Sequence, residues 1–259
     1  MPLSATQMTT EVAFFVRDGD RFVPTRQGIS PWNGKALNGV ALAGLAARMV
    51  GTVPIQSPMH VARLTIDILG AVPIEPLVPV VRVLRDGTRI QLVAIDLCAG
   101  DRTWVRATAL RVRETTSPTN LAQLTRQQPE AYRALAEPLK VDWVETITAE
   151  GDFRSPGPAS VWLRFLGRVV AGEPLGDLER MAMLSDWGSG MSSLVSPADY
   201  TFANLDIALH LVRVPRGDWL LMDAVSESAG NGMAIATSRL GDREGMIGTA
   251  LQTVFVAQR

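Results

Sequence analysis

The chain has 259 residues, 47% of them apolar and 20% charged, with a formal net charge of −1. Such a length and composition suit a globular protein of one large or two medium domains. A net charge this small argues against nucleic acid or an anionic membrane surface as a partner. A single cysteine, Cys98, excludes an internal disulfide, and its apolar strand-like surroundings predict a small core residue.

Residues 1–10 are polar and lack the charged-then-apolar design of a secretion signal. Residues 36–50 are rich in Ala, Leu and Gly and apolar nearly all round, which predicts a buried helix. The longest apolar stretch, residues 39–51, is too short to cross a bilayer and carries Arg48. The expectation is therefore a soluble, cytoplasmic protein. Strand-like runs follow at residues 60–69, 77–84, 88–98 and 103–112, separated by turn signals at Arg85-Asp86-Gly87 and Gly100-Asp101. Residues 114–139 are polar and contain prolines, as a linker would. A short helix is predicted within them at residues 130–136, opened by Pro129.

The order then repeats. A helix is predicted over residues 174–187, and strands over 201–212, 219–227, 232–240 and 246–256. The repetition is also visible residue by residue. Gly100-Asp-Arg-Thr-Trp-Val-Arg-Ala-Thr-Ala-Leu110 aligns without a gap on Gly241-Asp-Arg-Glu-Gly-Met-Ile-Gly-Thr-Ala-Leu251, with six of eleven positions identical. The next residue is Arg111 in the first copy and Gln252 in the second. The Arg216-Gly217-Asp218 turn answers Asp86-Gly87, and Asn204-Leu-Asp206 answers Thr65-Ile-Asp67. One helix and a run of antiparallel strands, used twice, is an α+β architecture. We place the first repeat at residues 1–115, a linker at 116–150 and the second repeat at 151–259.

Three polar residues of the second repeat are candidates for chemistry. With Leu175 at zero on a helical wheel of roughly 100° per residue, Asp186 falls at about 20°, beside Ala182 at about 340°. The carboxylate then lies on the apolar stripe, where an ionised group needs hydrogen-bond donors or a raised pKa. The alternative is a carboxylate beyond the helix end, capped or solvated. The repeat offset places Leu45 opposite it. Gln252 lies in the last strand, between Ala250 and Val254 on one face; its amide can donate and accept at once. Otherwise it is an exposed strand residue. Asn204 offers the same chemistry, or else a simple turn or strand-edge role. Strict alternation sets Asn204, Asp206, Ala208 and His210 opposite the leucine face, so Asn204 reaches the core only if a bulge or strand start turns it.

The chain resembles the acyl-CoA thioesterase II family and its thioesterase-like relatives, which have a double hotdog fold. The resemblance rests on Trp32-Asn-Gly-Lys-Ala-Leu-Asn-Gly39, Leu64-Thr-Ile-Asp-Ile-Leu69, Leu184-Ser-Asp186, Ala203-Asn-Leu-Asp206, Trp219-Leu-Leu221 and Ala250-Leu-Gln252, in that order. It implies two repeats of a central helix wrapped by an antiparallel sheet and hydrolysis of an acyl-CoA, or an acyl-carrier thioester, to a free acid. It calls for no cofactor and no metal, and it leaves a homo-oligomer open. In the family an Asp, a Thr and a Gln activate a water; these positions fall on Asp186, Asn204 and Gln252, so Asn204 departs from the pattern. Gly34 and Gly39 would lie where the first helix starts and substrate approaches its backbone, unless they only serve a turn and a packing contact. Trp187 could line an acyl tunnel. Trp32, Trp104 and Trp219 read as packing residues, and Arg85 and Arg89 as hairpin arginines that could face CoA phosphates.

Rival readings are a non-catalytic acyl-thioester binding protein and a hotdog hydratase built on Asp206 and His210. No G-x-S-x-G elbow or Cys/His metal cluster is present. Gly188-Ser-Gly190 and Gly230-Asn-Gly232 read as loop glycines.

Overall fold

The two repeats share one sheet, and the seam between them is a pair of central strands. The computed structural model describes residues 12–116, 140–151, 155–196 and 198–259. In chain order the first part contains β1 (Ala13–Asp18), β2 (Arg21–Pro24), α1 (Gly39–Gly51), β3 (Met59–Ile68), β4 (Val78–Arg85), β5 (Ile90–Ala99) and β6 (Arg102–Arg113). The second contains β7 (Lys140–Val141), β8 (Val144–Glu150), β9 (Ala159–Phe165), β10 (Arg168–Val170), α2 (Asp177–Ser185), α3 (Gly188–Met191), β11 (Tyr200–Asn204), β12 (Asp206–Leu211), β13 (Leu220–Ser228), β14 (Met233–Asp242) and β15 (Gly245–Gln258).

The large sheet runs β4-β5-β6-β3-β12-β15-β14-β13-β9-β8-β7, with β11 also on β15. A small sheet, β10-β1-β2, lies apart. At the seam β3 and β12 are antiparallel, with Leu64 opposite Leu209 and Ile66 opposite Ile207. These four are buried, while Thr65 and Ala208 between them face the other side, as the two-residue period of a strand requires. One apolar core includes Leu45 of α1, Leu64 of β3, Met183 of α2 and Leu209 of β12.

Ten of the thirteen residues of α1 are buried, so it is the all-round apolar helix the sequence predicts. It begins at Gly39 rather than Ala36. The N–H groups of Leu37 and Asn38 are engaged by Val72 O and Gly28 O, both at 2.8 Å, and the Asn38 side chain caps the helix by accepting from Val40 N–H at 3.1 Å. Helix α2 packs antiparallel to α1: Asp186 lies by Gly39, Met183 by Gly44, and Glu179 binds Arg48 at 2.7 Å.

The repeat pair Arg111 and Gln252 has one structural job. Arg111 on β6, 8% exposed, donates to Val50 O (2.6 Å) and Val53 O (2.8 Å) at the C-terminus of α1. Gln252 on β15 donates to the carbonyl of Asp186 at the C-terminus of α2 (3.0 Å). Both satisfy carbonyls that a helix end leaves without partners.

Several expectations are corrected. Residues 201–212 form two strands, β11 and β12, broken at Leu205. Helix α2 stops at Ser185, and the chain turns through Asp186 and Trp187 into the short α3. Residues 144–150, expected within the linker, form β8 on β9. The continuous apolar runs of β1 and β9, buried on both faces, lack the alternation that marks a strand. Cys98 is half-buried rather than fully in the core. The helix expected at residues 130–136 lies outside the described residues. Among the described residues no helix is long and apolar enough to cross a membrane.

Candidate active site

Asp186 is the C-cap of α2, with φ −77° and ψ −16°. Its carboxylate lies against the α-carbon of Gly39 at the start of α1, so close that a β-carbon there would overlap Oδ1. The same carboxylate accepts one hydrogen bond from Asn204 Nδ2 at 2.9 Å. Enclosure by protein pushes its pKa up to about 6, with the Asn204 amide pulling the other way. It therefore lies beyond the helix end, as one alternative held, and is half-buried where it lines the cavity.

Asn204 reaches the site through a bulge. On β15 its partner is Val254, while the partner of Ala208 is Leu251. Four steps on the β11–β12 strand thus match three on β15, and the extra residue restores Asn204 to the same side as Ile207. Leu205 is turned outward, 42% exposed. The two hydrogens of Asn204 Nδ2 go to Asp186, at Oδ1 and at the main-chain oxygen (3.1 Å).

Gln252 is 1% exposed, which removes the exposed-strand reading. It stands one layer behind the cavity wall rather than on it. Its Nε2 holds the Asp186 carbonyl and its Oε1 accepts from Ser189 N–H at 2.9 Å. A group so placed holds the frame of Asp186, while Asn204 and Ser189 line the cavity. Ser189 also donates its hydroxyl to Asn204 Oδ1 at 2.6 Å. Gly188 makes this possible, since a β-carbon there would lie 2.5 Å from both Gln252 Oε1 and Ser238 Oγ.

These groups open on a cavity of about 660 Å³ between the start of α1, the α2–α3 turn and β11. Leu42, Val72, Trp143, Trp187 and Met191 form apolar walls; Trp32, 53% exposed, stands at the rim against Phe202, with ring centroids 5.2 Å apart. Trp187 packs edge-on to Trp143 at 5.6 Å. Asp186 is the one acid among the described residues that line the cavity, while Arg26 and Arg259 line it as cations.

Gly39 and Trp187 line this cavity, but Gly34 does not; it sits in an exposed turn with open space around its α-carbon. Asp206 and His210 also lie elsewhere. Asp206 accepts from Thr253 N–H at 2.6 Å, and His210 is exposed opposite Arg63 on the outer side of the sheet. Trp104 stacks under Arg102 (3.9 Å), Trp219 belongs to a separate small core with Trp162, and Arg85 and Arg89 are exposed away from the cavity. Sequence reasoning missed Ser189 and Trp143. The signal for Ser189 was Gly188-Ser-Gly190 directly after the helix-end acid, which reads as an ordinary loop. Among the described residues no three His, Cys, Asp or Glu side chains are grouped to hold a metal.

This geometry, two antiparallel helices enclosed by one duplicated antiparallel sheet with a polar cluster where their ends meet, defines a double hotdog protein. Comparison with known proteins agrees. The N-terminal domain of acyl-CoA thioesterases matches residues 29–112, and their C-terminal domain matches residues 116–256. The chain belongs to the acyl-CoA thioesterase family. Among solved structures it is similar to a TesB protein of Mycobacterium avium subsp. paratuberculosis, with 18% identity over 94% of this chain and 96% of that one and a TM-score of 0.68. It is also similar to acyl-CoA thioesterase II TesB2 of Mycobacterium marinum (20% identity, 86% and 90% covered, TM-score 0.68). A hot dog fold protein of unknown function from Alicyclobacillus acidocaldarius has 15% identity, coverage of 98% and 99% and a TM-score of 0.73. At such identities these likenesses speak for the fold alone. No curated protein matches the sequence.

Proposed function

We propose that the chain hydrolyses an acyl-CoA to a free acid and CoA, with water activated by Asp186. The observation that carries this reading is a carboxylate of raised pKa, about 6, at the inner end of a largely apolar cavity and against the N-terminus of a buried helix. Such a base is ionised near neutral pH yet basic enough to take a proton. Family membership supplies the substrate class.

The acyl group lies along the apolar walls, and its carbonyl faces the start of α1 at Gly39. Water attacks the carbonyl carbon while Asp186 accepts its proton. As the carboxylate becomes neutral, negative charge appears on the carbonyl oxygen, so the positive end of α1 and its unpaired N–H groups pass from stabilising one anion to stabilising the other. Collapse breaks the C–S bond, and the proton held by Asp186 goes to the departing sulfur. Asn204 holds the carboxylate in place and Gln252 holds its main chain. The role of Asn204 is thus to orient the base.

The test is free-thiol release from short, long and aryl acyl-CoAs by wild type and by Asp186→Asn. A loss of at least about a hundredfold in the variant is expected. No turnover on any substrate, together with tight acyl-CoA binding, would overturn the reading in favour of a non-catalytic binding protein.

A further inference from the structure

We infer that Ser189 is a positioning residue of this site, donating to the oxygens of both the Asn204 and the Gln252 amides and so holding their N–H groups on Asp186. The kinetic part of this inference rests on the reading of Asp186 as the base; the structural part does not.

An amide side chain fits its space equally well in two orientations that exchange oxygen for nitrogen, so something must choose between them. Here the oxygens of Asp186, which only accept, call for nitrogen on their side of both amides, and Ser189 supplies a donor to each amide oxygen on the other side. The N–H of Ser189 can only donate, and its acceptor at 2.9 Å is Gln252 Oε1. The opposite orientation would set Nε2 against that N–H. The hydroxyl of Ser189 donates at 2.6 Å to Asn204 Oδ1. Both nitrogens are thereby turned to Asp186, Nε2 to its carbonyl at 3.0 Å and Nδ2 to its carbonyl and Oδ1 at 3.1 and 2.9 Å. Ser189 is 5% exposed, and the neighbouring Gly188 lets α3 come close enough for the contact. The chain from hydroxyl to amide to carboxylate is continuous, and each donor strengthens the next. Removing the hydroxyl leaves Asn204 Oδ1 without its donor, and the amide N–H facing the carboxylate becomes a weaker and less well aimed partner.

The test is Ser189→Ala, read in two ways. Site-resolved NMR titration of the Asp186 carboxyl reports its protonation whether or not the protein turns over any substrate. Its midpoint is expected to rise by about a few tenths of a pH unit, the scale of weakening rather than removing the Asn204 hydrogen bond to the carboxylate. In kinetics, the acid limb of kcat/KM moves up by the same amount and kcat falls about tenfold, with KM within about twofold. In an Asn204→Ala background, the hydroxyl has no amide to hold, and Ser189→Ala should add no further shift. A lowered melting temperature with an unmoved midpoint would overturn the inference and leave Ser189 a packing residue. If wild type shows no thioester turnover, the proposed reaction fails while the titration still decides the role of Ser189. Should Ser189→Ala not fold, Ser189→Cys keeps the shape with a weaker donor and predicts a smaller shift in the same direction.

Discussion

The carboxylate of Asp186, from the second repeat, lies against the α-carbon of Gly39, from the first. Gly39 has no side chain because none would fit. In Gly39→Ala the new methyl would displace the carboxylate from the start of α1, while the helix itself tolerates alanine well. The expected outcome is a loss of at least about a hundredfold in kcat/KM with a melting temperature close to that of wild type. Steady-state kinetics beside thermal unfolding checks both halves of the statement.

The raised pKa of Asp186 links activity to stability with opposite signs. Activity needs the ionised form, so kcat/KM should fall as pH drops through about 6. Stability runs the other way. The unfolded state releases this proton near the ordinary value of 3.8 and the folded state holds it to about 6, so the contribution is fully present below 3.8 and lost as pH rises through 6. At neutral pH the ionised group is therefore a net cost to stability. Asp186→Asn should therefore unfold at a higher temperature than wild type at pH 7 and show no such gain near pH 3.5. A gain that does not vary with pH would contradict the linkage.

Arg111 and Gln252 close the ends of equivalent helices, but only one of those ends belongs to the site. Arg111→Met removes donors from Val50 O and Val53 O and should cost about 2–3 kcal/mol, leaving kcat within about threefold. Gln252→Met should cost a similar amount and also lower kcat by more than tenfold, since the carbonyl of Asp186 and the N–H of Ser189 both lose their partner. Denaturant unfolding and steady-state rates on the two variants separate the effects.

His210→Ala should leave thioester hydrolysis within about twofold of wild type, because His210 is exposed on the outer side of the sheet and away from the cavity. A large loss would restore the Asp206–His210 pair, and with it a hydratase-like chemistry.

The repeat was legible because the fold recurs at the level of strands and turns, and hydrophobic alternation survives divergence. The seam residues Leu64, Ile66, Ile207 and Leu209 follow that period without a break. Asp186 was legible from the wheel because an acid on an apolar stripe is a local pattern. The orientation of Asn204 was not, since it depends on one extra residue relative to β15, and a bulge is a property of the pair of strands rather than of either sequence. Ser189 escaped for a related reason: a serine between glycines is a loop by composition, and only the arrival of β11 and β15 beside it makes it a donor to two amides. Gly34 misled in the opposite sense. Its spacing from Gly39 suggests a shared role, but the backbone turns out of the cavity at Gly34 and Lys35 and returns only at Ala36.

Asp186 and Gly39 meet because the two halves are joined, at β3 and β12 in the large sheet and at β1 and β10 in the small one. Expressed as separate fragments, neither half carries the whole of the candidate site. Recovery of turnover on mixing them would then report, more directly than any spectroscopic signal, that the two central strands had zipped together in register.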